Sequence, residues 1–442
     1  MTPSSTSRPP ASRAVLVEAS QDLPLITLTL AFRRGATSDP ADRAGLTRLL
    51  GRLMQRTGGG LDPNEIEARI DSLGGSLSTE ASQSTLSFHA SVISRSWLPF
   101  LDLLGDVLAR PALGGSEFEL LKRETQSELD DLLDNDRALA LRWYRHHQFG
   151  THPYGRSTIG TRRSVTTCGD QDLVDQHRNR ITRDDLVVAI SGDIIEQQAQ
   201  DAFRFLAEQL PAGRIDSPVL AEPTRREGRR LLFVNKPERT QTQILIGCLG
   251  THPSDPDHTA LLVGNTVFGG TFGARLSREI RSERGWSYGA YSSLGVDRQR
   301  QAFTMWTFPK ATDTAECIRH QLGMLESWWS EGVTEDELQR AKSYLERSHA
   351  FSVDTASKRA GLALDEEILS LPENYYSDYV ARIRAVTRTE VNEAIHRRIT
   401  PQDLALVVVG TEYDIGAEVR NAIYGLAESL VVPFDADPSP EP

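Results

Sequence analysis

Ile181-Thr-Arg-Asp-Asp-Leu186-Val-Val-Ala-Ile-Ser-Gly192 returns 218 residues later (399 against 181) as Ile399-Thr-Pro-Gln-Asp-Leu404-Ala-Leu-Val-Val-Val-Gly410. Each copy is a polar turn followed by a β-branched run, the pattern of a buried strand. Ser116-Glu-Phe-Glu119 recurs as Thr334-Glu-Asp-Glu337 at the same offset (334 against 116). Both read as capping boxes, in which a hydroxyl and a carboxylate satisfy the first amides of a helix. Two unlike signals at one long offset make the chain a tandem duplication of a unit of roughly 200 residues, an ordinary domain size.

Working outward, each unit reads as α+β. Leu25–Phe32 and Gln243–Leu249 are short strands rich in Ile, Leu and Thr, and a helical stretch opens near Ala41. Asp62-Pro63 starts a helix with Ile66, Ile70 and Leu73 on one face and Gly74-Gly75 at its end. Gln83–Val92 alternates as a strand does, and Trp97–Ala109 is an amphipathic helix stopped by Pro111. Strands and helices without strict alternation imply two homologous domains, each an antiparallel sheet with helices on one face. The expected layout is a disordered tail (1–13), an N-terminal domain (14–210), a Pro-containing linker (211–230), a C-terminal domain (231–430) and a second disordered tail (431–442).

Composition sets limits. The 442 residues carry a formal net charge of −12, which argues against nucleic acid or an anionic membrane as partner. No apolar run approaches the ~20 residues of a membrane span. Cys168, Cys248 and Cys317 are far apart and never in C-x-x-C spacing, so neither a disulfide framework nor a thiolate zinc site is expected. The first thirteen residues lack the apolar core of a secretory signal, and the cytoplasm is the expected compartment. Phe268-Gly-Gly-Thr-Phe-Gly273 lacks the G-K-[S/T] ending of a phosphate loop and the G-x-G-x-x-G order of a dinucleotide site. His146, His147 and His152 cluster in sequence but do not share a helix face.

Several motifs in order resemble the pitrilysin/insulinase zinc-peptidase family, in particular its short bacterial and processing-peptidase branch. In the first half these are Gly45-Leu-Thr-Arg-Leu-Leu-Gly-Arg-Leu-Met54, Leu73-Gly-Gly75 and His152-Pro-Tyr-Gly-Arg156 before Ile159-Gly160. In the second they are Phe268-Gly-Gly-Thr-Phe-Gly-Ala-Arg-Leu276 and Glu279-Ile-Arg-Ser-Glu-Arg-Gly-Trp-Ser-Tyr288.

The resemblance brings a departure with it. Active members place H-x-x-E-H where this chain reads Arg48-Leu-Leu-Gly-Arg52. Ligands four apart project from one helix face onto one ion, and the intervening Glu activates water. Arginine offers no lone pair, so Arg48 and Arg52 cannot ligate, and Gly51 stands where the base should be. The family's third ligand corresponds to Glu128. The resemblance therefore implies no metal or other cofactor on this chain, and an ion pair from Glu128 to Arg48 or Arg52 where zinc would sit. Zinc is expected instead in a homologous partner subunit, so this chain would be inactive alone. In the family an Arg and a Tyr seven residues later contact substrate from the half opposite the zinc; the matching positions are Arg281 and Tyr288. Ser76, Leu77, Ser78 and Thr79 match the strand to which substrate is added at a sheet edge.

The function implied is that of the non-zinc subunit of a heterodimeric peptidase acting on short or unfolded peptides. The alternatives are a structural subunit, like the core proteins of respiratory quinol–cytochrome c reductase, and a factor that presents peptides without taking part in catalysis.

Overall fold

The computed structural model describes residues 14–213 and 220–438. The first half builds β1 (Val15–Ala19), β2 (Leu25–Phe32), β3 (Gly75–Ala81), β4 (Leu86–Ile93) and β5 (Leu186–Gly192) into a sheet of order β1-β5-β2-β4-β3. The second builds β6 (Arg229–Asn235), β7 (Gln243–Leu249), β8 (Ala290–Leu294), β9 (Ala302–Thr307), β10 (Ala405–Gly410) and β11 (Leu426–Pro433) into a sheet of order β11-β6-β10-β7-β9-β8. The repeated turn-and-strand sequences are β5 and β10, and each is an interior strand of its sheet. Both insert between an antiparallel pair, so both are antiparallel to one neighbour and parallel to the other. The α+β, two-unit architecture is thus as expected, with parallel pairing added at one side of each sheet.

The principal helices of the first half are α1 (Leu46–Arg56), α2 (Pro63–Ser72), α3 (Trp97–Ala109), α4 (Gly115–Asp134) and α5 (Asp136–Phe149). α2 begins at the expected Asp62-Pro63 and adds a capping box: Asp62 accepts from the Glu65 amide, and Glu65 reaches back to the Asp62 amide. The box expected at Ser116 does not form. α4 starts two residues earlier, after Gly114 in a conformation open to glycine (φ 141°), so Ser116 already lies inside the helix. Its counterpart at Thr334 and Glu337 does form.

One face of each sheet meets its own half's helices, as expected. The other faces are covered by exchange. Leu139, Trp143 and Tyr144 of α5, from the first half of the sequence, pack on Leu232, Val234, Leu245 and Val407 of the second sheet. Ala360, Leu364 and Ile368 of the helix Ala356–Ile368, from the second half, pack on Leu16, Ala31, Val187 and Ala189 of the first. The two helices hold nearly equivalent places in the duplication, starting at 136 and 356. Arg33–Glu367 (2.5 Å) and Arg359–Glu18 (2.9 Å) add ion pairs between the exchanged helix and its host sheet. The boundaries at 210 and 231 therefore divide the sequence but not the packing.

The expected C-terminal tail is corrected in part. β11 runs to Pro433, and Phe434 and Ala436 pack beneath the second sheet. Asp437 then accepts from Arg142 Nη2 (2.8 Å) and from the Arg162 amide at the start of a first-half helix (2.9 Å). An apolar anchor followed by an ion pair orders what composition alone assigned to disorder. The expected N-terminal tail, residues 439–442 and linker residues 214–219 lie outside the described residues. Among the described residues no helix is long and apolar enough to cross a membrane.

Candidate functional site

α1 buries Leu46, Leu49, Leu50, Leu53 and Met54 on one side, which turns Arg48, Arg52 and Arg56 to the other at i, i+4, i+8 spacing. Its start is fixed by Asp39, whose buried carboxylate accepts from the Gly45 and Thr47 amides and the Thr47 hydroxyl. Burial outweighs these donors and pushes Asp39 up to about 6. α4 runs alongside, burying Phe118, Leu121, Thr125 and Leu129 and presenting Glu124 and Glu128 to the arginines.

The result is a ladder of ion pairs. Glu128 takes Arg48 Nη2 on one oxygen and Arg52 Nη1 on the other, both at 2.6 Å. Glu124 takes Arg52 Nη2 at 3.3 Å and Arg56 Nη2 at 2.6 Å. The Arg56 hydrogen bond holds the Glu124 carboxyl below the usual carboxylate range. A Cβ on Gly51 would lie 2.6 Å from Leu86 Cδ1, so α1 presses on β4 through the bare glycine. These residues do not fit zinc: two guanidinium groups stand at the ligand positions, the surviving carboxylate is engaged by both, and the base position has no side chain. The purified chain should therefore hold no stoichiometric zinc and cleave no peptide by itself. Elemental analysis checks this, and one tightly bound zinc per chain would overturn it.

The ladder side chains are one-fifth to one-third exposed, between the surface and buried limits. Glu128→Gln leaves Arg48 without a carboxylate and Arg52 with only its longer contact to Glu124, and should destabilise the fold by about 1–2 kcal/mol. Thermal unfolding reads this, and an unchanged midpoint would deny the ladder a structural role.

β3 forms the free edge of the first sheet, with Ser76 and Ser78 exposed and Leu77 buried. The Gln55 side chain donates to the Leu77 carbonyl (2.8 Å) and accepts from Thr79 Oγ1 (3.3 Å). One outward carbonyl of this edge is therefore occupied from within the chain.

Arg281 lies in a π-helical segment, Arg278–Glu283, anchored by buried Ile280. Segments of this kind recur at functional sites. The buried Ser287 hydroxyl donates to the Gly289 carbonyl and accepts from the Phe308 amide, which fixes the turn that throws Tyr288 outward. Tyr288 is 77% exposed. Its ring and that of Phe272, 64% exposed, flank the Arg281 guanidinium at 4.4 and 4.2 Å. Such a cation–π sandwich orients the fork while leaving its N–H groups free. Among the described residues no hydrogen bond or ion pair links this cluster to the Arg48–Glu128 ladder.

Both halves match models of one family. Residues 14–162 match the family described as insulinase (peptidase family M16), and residues 169–345 the family's inactive domain. The chain belongs to peptidase family M16.

An uncharacterized zinc protease of Mycobacterium leprae is 27% identical to this M16 chain over 397 residues, 89% of this chain and 84% of the relative. A non-peptidase homolog of Helicobacter pylori is 22% identical, covering 90% and 92%. The mitochondrial-processing peptidase subunit beta of Neurospora crassa is 23% identical, covering 78% and 75%. The solved peptidase M16 inactive domain from Pseudomonas fluorescens shares the fold, with a TM-score of 0.84 at 23% identity over 90% of this chain and 97% of its own.

Sequence reasoning missed Glu124, Arg56, Gln55 and Phe272. The first two were within reach, because Glu124 and Arg56 extend the i, i+4 spacing of Glu128 and of Arg48 and Arg52 by one turn. Gln55 and Phe272 act across elements, and no local spacing announces them.

Proposed function

We propose that this M16 chain is the non-zinc subunit of a two-subunit peptidase and supplies Arg281 and Tyr288 to a homologous, zinc-bearing partner. The observation that carries the reading is the exposed Tyr288, held out by a buried serine turn beside a guanidinium with no carboxylate within 4 Å among the described residues. A phenol in that state is a free donor for a group that is not part of this chain. Peptide hydrolysis develops charge on a carbonyl oxygen, and Tyr288 O–H would stabilise it there. Arg281 would hold a neighbouring peptide carbonyl with two donors and fix the register. The β3 edge would receive the extended substrate once Gln55 releases the Leu77 carbonyl.

A relative named as a subunit of a processing peptidase supports the partnership. The substrates would be short or unfolded peptides, since an edge strand can pair only with extended chain. The three buried, unbridged cysteines support a reducing compartment such as the cytoplasm. A relative named as a non-peptidase homolog favours a second reading, a structural or peptide-presenting subunit in which the pair plays no catalytic part. Co-purification with an H-x-x-E-H homologue, followed by peptide cleavage assays on each chain and on the mixture, decides between them. Activity in the mixture alone supports the first; a zinc-bearing subunit equally active without this chain refutes it.

A further inference from the structure

Between the two sheets lies a cavity of about 970 Å³ that the reading above leaves unused. Its size is that of a ligand pocket. One wall is α5, which turns Arg137, Leu141 and Arg145 into it, and the facing wall is Tyr291 and Trp306 of β8 and β9. The Arg137 guanidinium lies over the Trp306 ring at 3.9 Å, and Trp306 stacks on Tyr291 at 17°. Trp306 Nε1 donates to Gln243, so the indole offers its ring face, beside the ring and hydroxyl of Tyr291.

The cavity's polar groups are unevenly engaged. Arg142 is taken by Asp437 and the Gly160 carbonyl. Arg145 makes no hydrogen bond among the described residues, and burial pulls its pKa below the usual arginine range. Asp297, the carboxylate that acts on it most strongly, already accepts from the Ser84 hydroxyl and the Arg298 amide. Glu80 stands beside His89. Two guanidinium forks, Arg137 and Arg145, are thus left with donors to give, on backbone positions about 12 Å apart along two helical turns.

We propose that this cavity binds a carboxylate carried on a peptide, held by Arg145 and drawn in by Arg137, with Trp306 and Tyr291 flanking an adjacent apolar side chain. The guanidinium fork matches a carboxylate in two parallel hydrogen bonds, and a desolvated fork gains most from such a partner. Geometry connects the cavity to the free sheet edge. β3 continues from Ser76–Thr79 directly into Glu80–Gln83, which line the cavity, so an extended peptide on that edge reaches it within a few residues at ~3.3 Å each. The inference rests on the peptide-binding part of the proposed function and is independent of Tyr288 and of any partner.

The test is calorimetric binding to this chain alone, so its failure is separable from a failure of the turnover experiment. Three acetylated hexapeptides of alanine and phenylalanine serve as probes: one with a central glutamate and an amidated end, its glutamine analogue, and that analogue with a free C-terminus. At least one carboxylate-bearing peptide should bind about tenfold or more tighter than the neutral one. The winning peptide says whether the cavity takes a side chain or a chain end. Arg145→Gln should abolish the preference and Arg145→Lys keep part of it, while Arg319→Gln, the same charge lost at an exposed site, leaves it intact. Should Arg145→Gln unfold the chain, Arg137→Gln on an exposed residue should still weaken the preference severalfold. Equal binding of all three peptides, or a preference that survives in the folded arginine variants, would overturn the proposal.

Discussion

Tyr288→Phe lowers kcat of the paired peptidase by about 10²–10³ and leaves assembly intact. The magnitude is that of removing one preorganised donor to a developing oxyanion. The substitution deletes only the O–H; the ring remains against Arg281, and the Ser287 turn is untouched, so any loss reports the hydroxyl. Arg281→Ala should also raise KM, because a guanidinium that positions the peptide acts before the chemical step. Neither residue is proposed to hold the subunits together, so both variants should co-purify with the zinc-bearing partner. Both assembling and hydrolysing at the wild-type rate would remove the pair from catalysis and leave the structural-subunit reading in its place.

Leu139→Ala should destabilise the protein by about 2–5 kcal/mol, the usual range for emptying a fully buried leucine site. The location is what makes the result informative. Leu139 belongs to the first half of the sequence but fills the core beneath β6, β7 and β10 of the second sheet. If the exchanged helices make the halves one cooperative unit, a single unfolding transition moves down by several degrees. Leu364→Ala, in the reciprocal helix, should lower the same transition. Two separate transitions, with one variant affecting each, would show that the halves unfold independently and that the exchange adds little coupling.

Much of this architecture could be read from residue spacing. The repeat located two interior strands, Asp62-Pro63 marked a helix start, and the Trp97–Ala109 period gave α3 to the residue, because each rests on chain-local chemistry. The ion pair of Glu128 with Arg48 and Arg52, which the structure contains, came instead from the family resemblance, since that alone set Glu128 opposite the arginines. What spacing could not give was any arrangement settled between distant segments. α5 has an apolar stripe like any amphipathic helix, and nothing in that stripe says which sheet it will cover. Phe272 reads as one aromatic in a glycine-rich loop until the fold brings it over Arg281. The C-terminal segment looked disordered because its order comes from Arg142, almost 300 residues away.

The bare Gly51 and the ladder beside it bear on ancestry. Restoring His at one arginine position would leave Glu128 half-paired and a second cation beside the new ligand. Restoring Glu at 51 would drive a side chain into Leu86. No single change yields a metal site, and the Leu86 contact opposes a side chain at 51 whatever stands at 48 and 52. Under the proposed pairing, a return to metal binding on this chain would need several coordinated changes, so dependence on a partner's zinc would be hard to reverse.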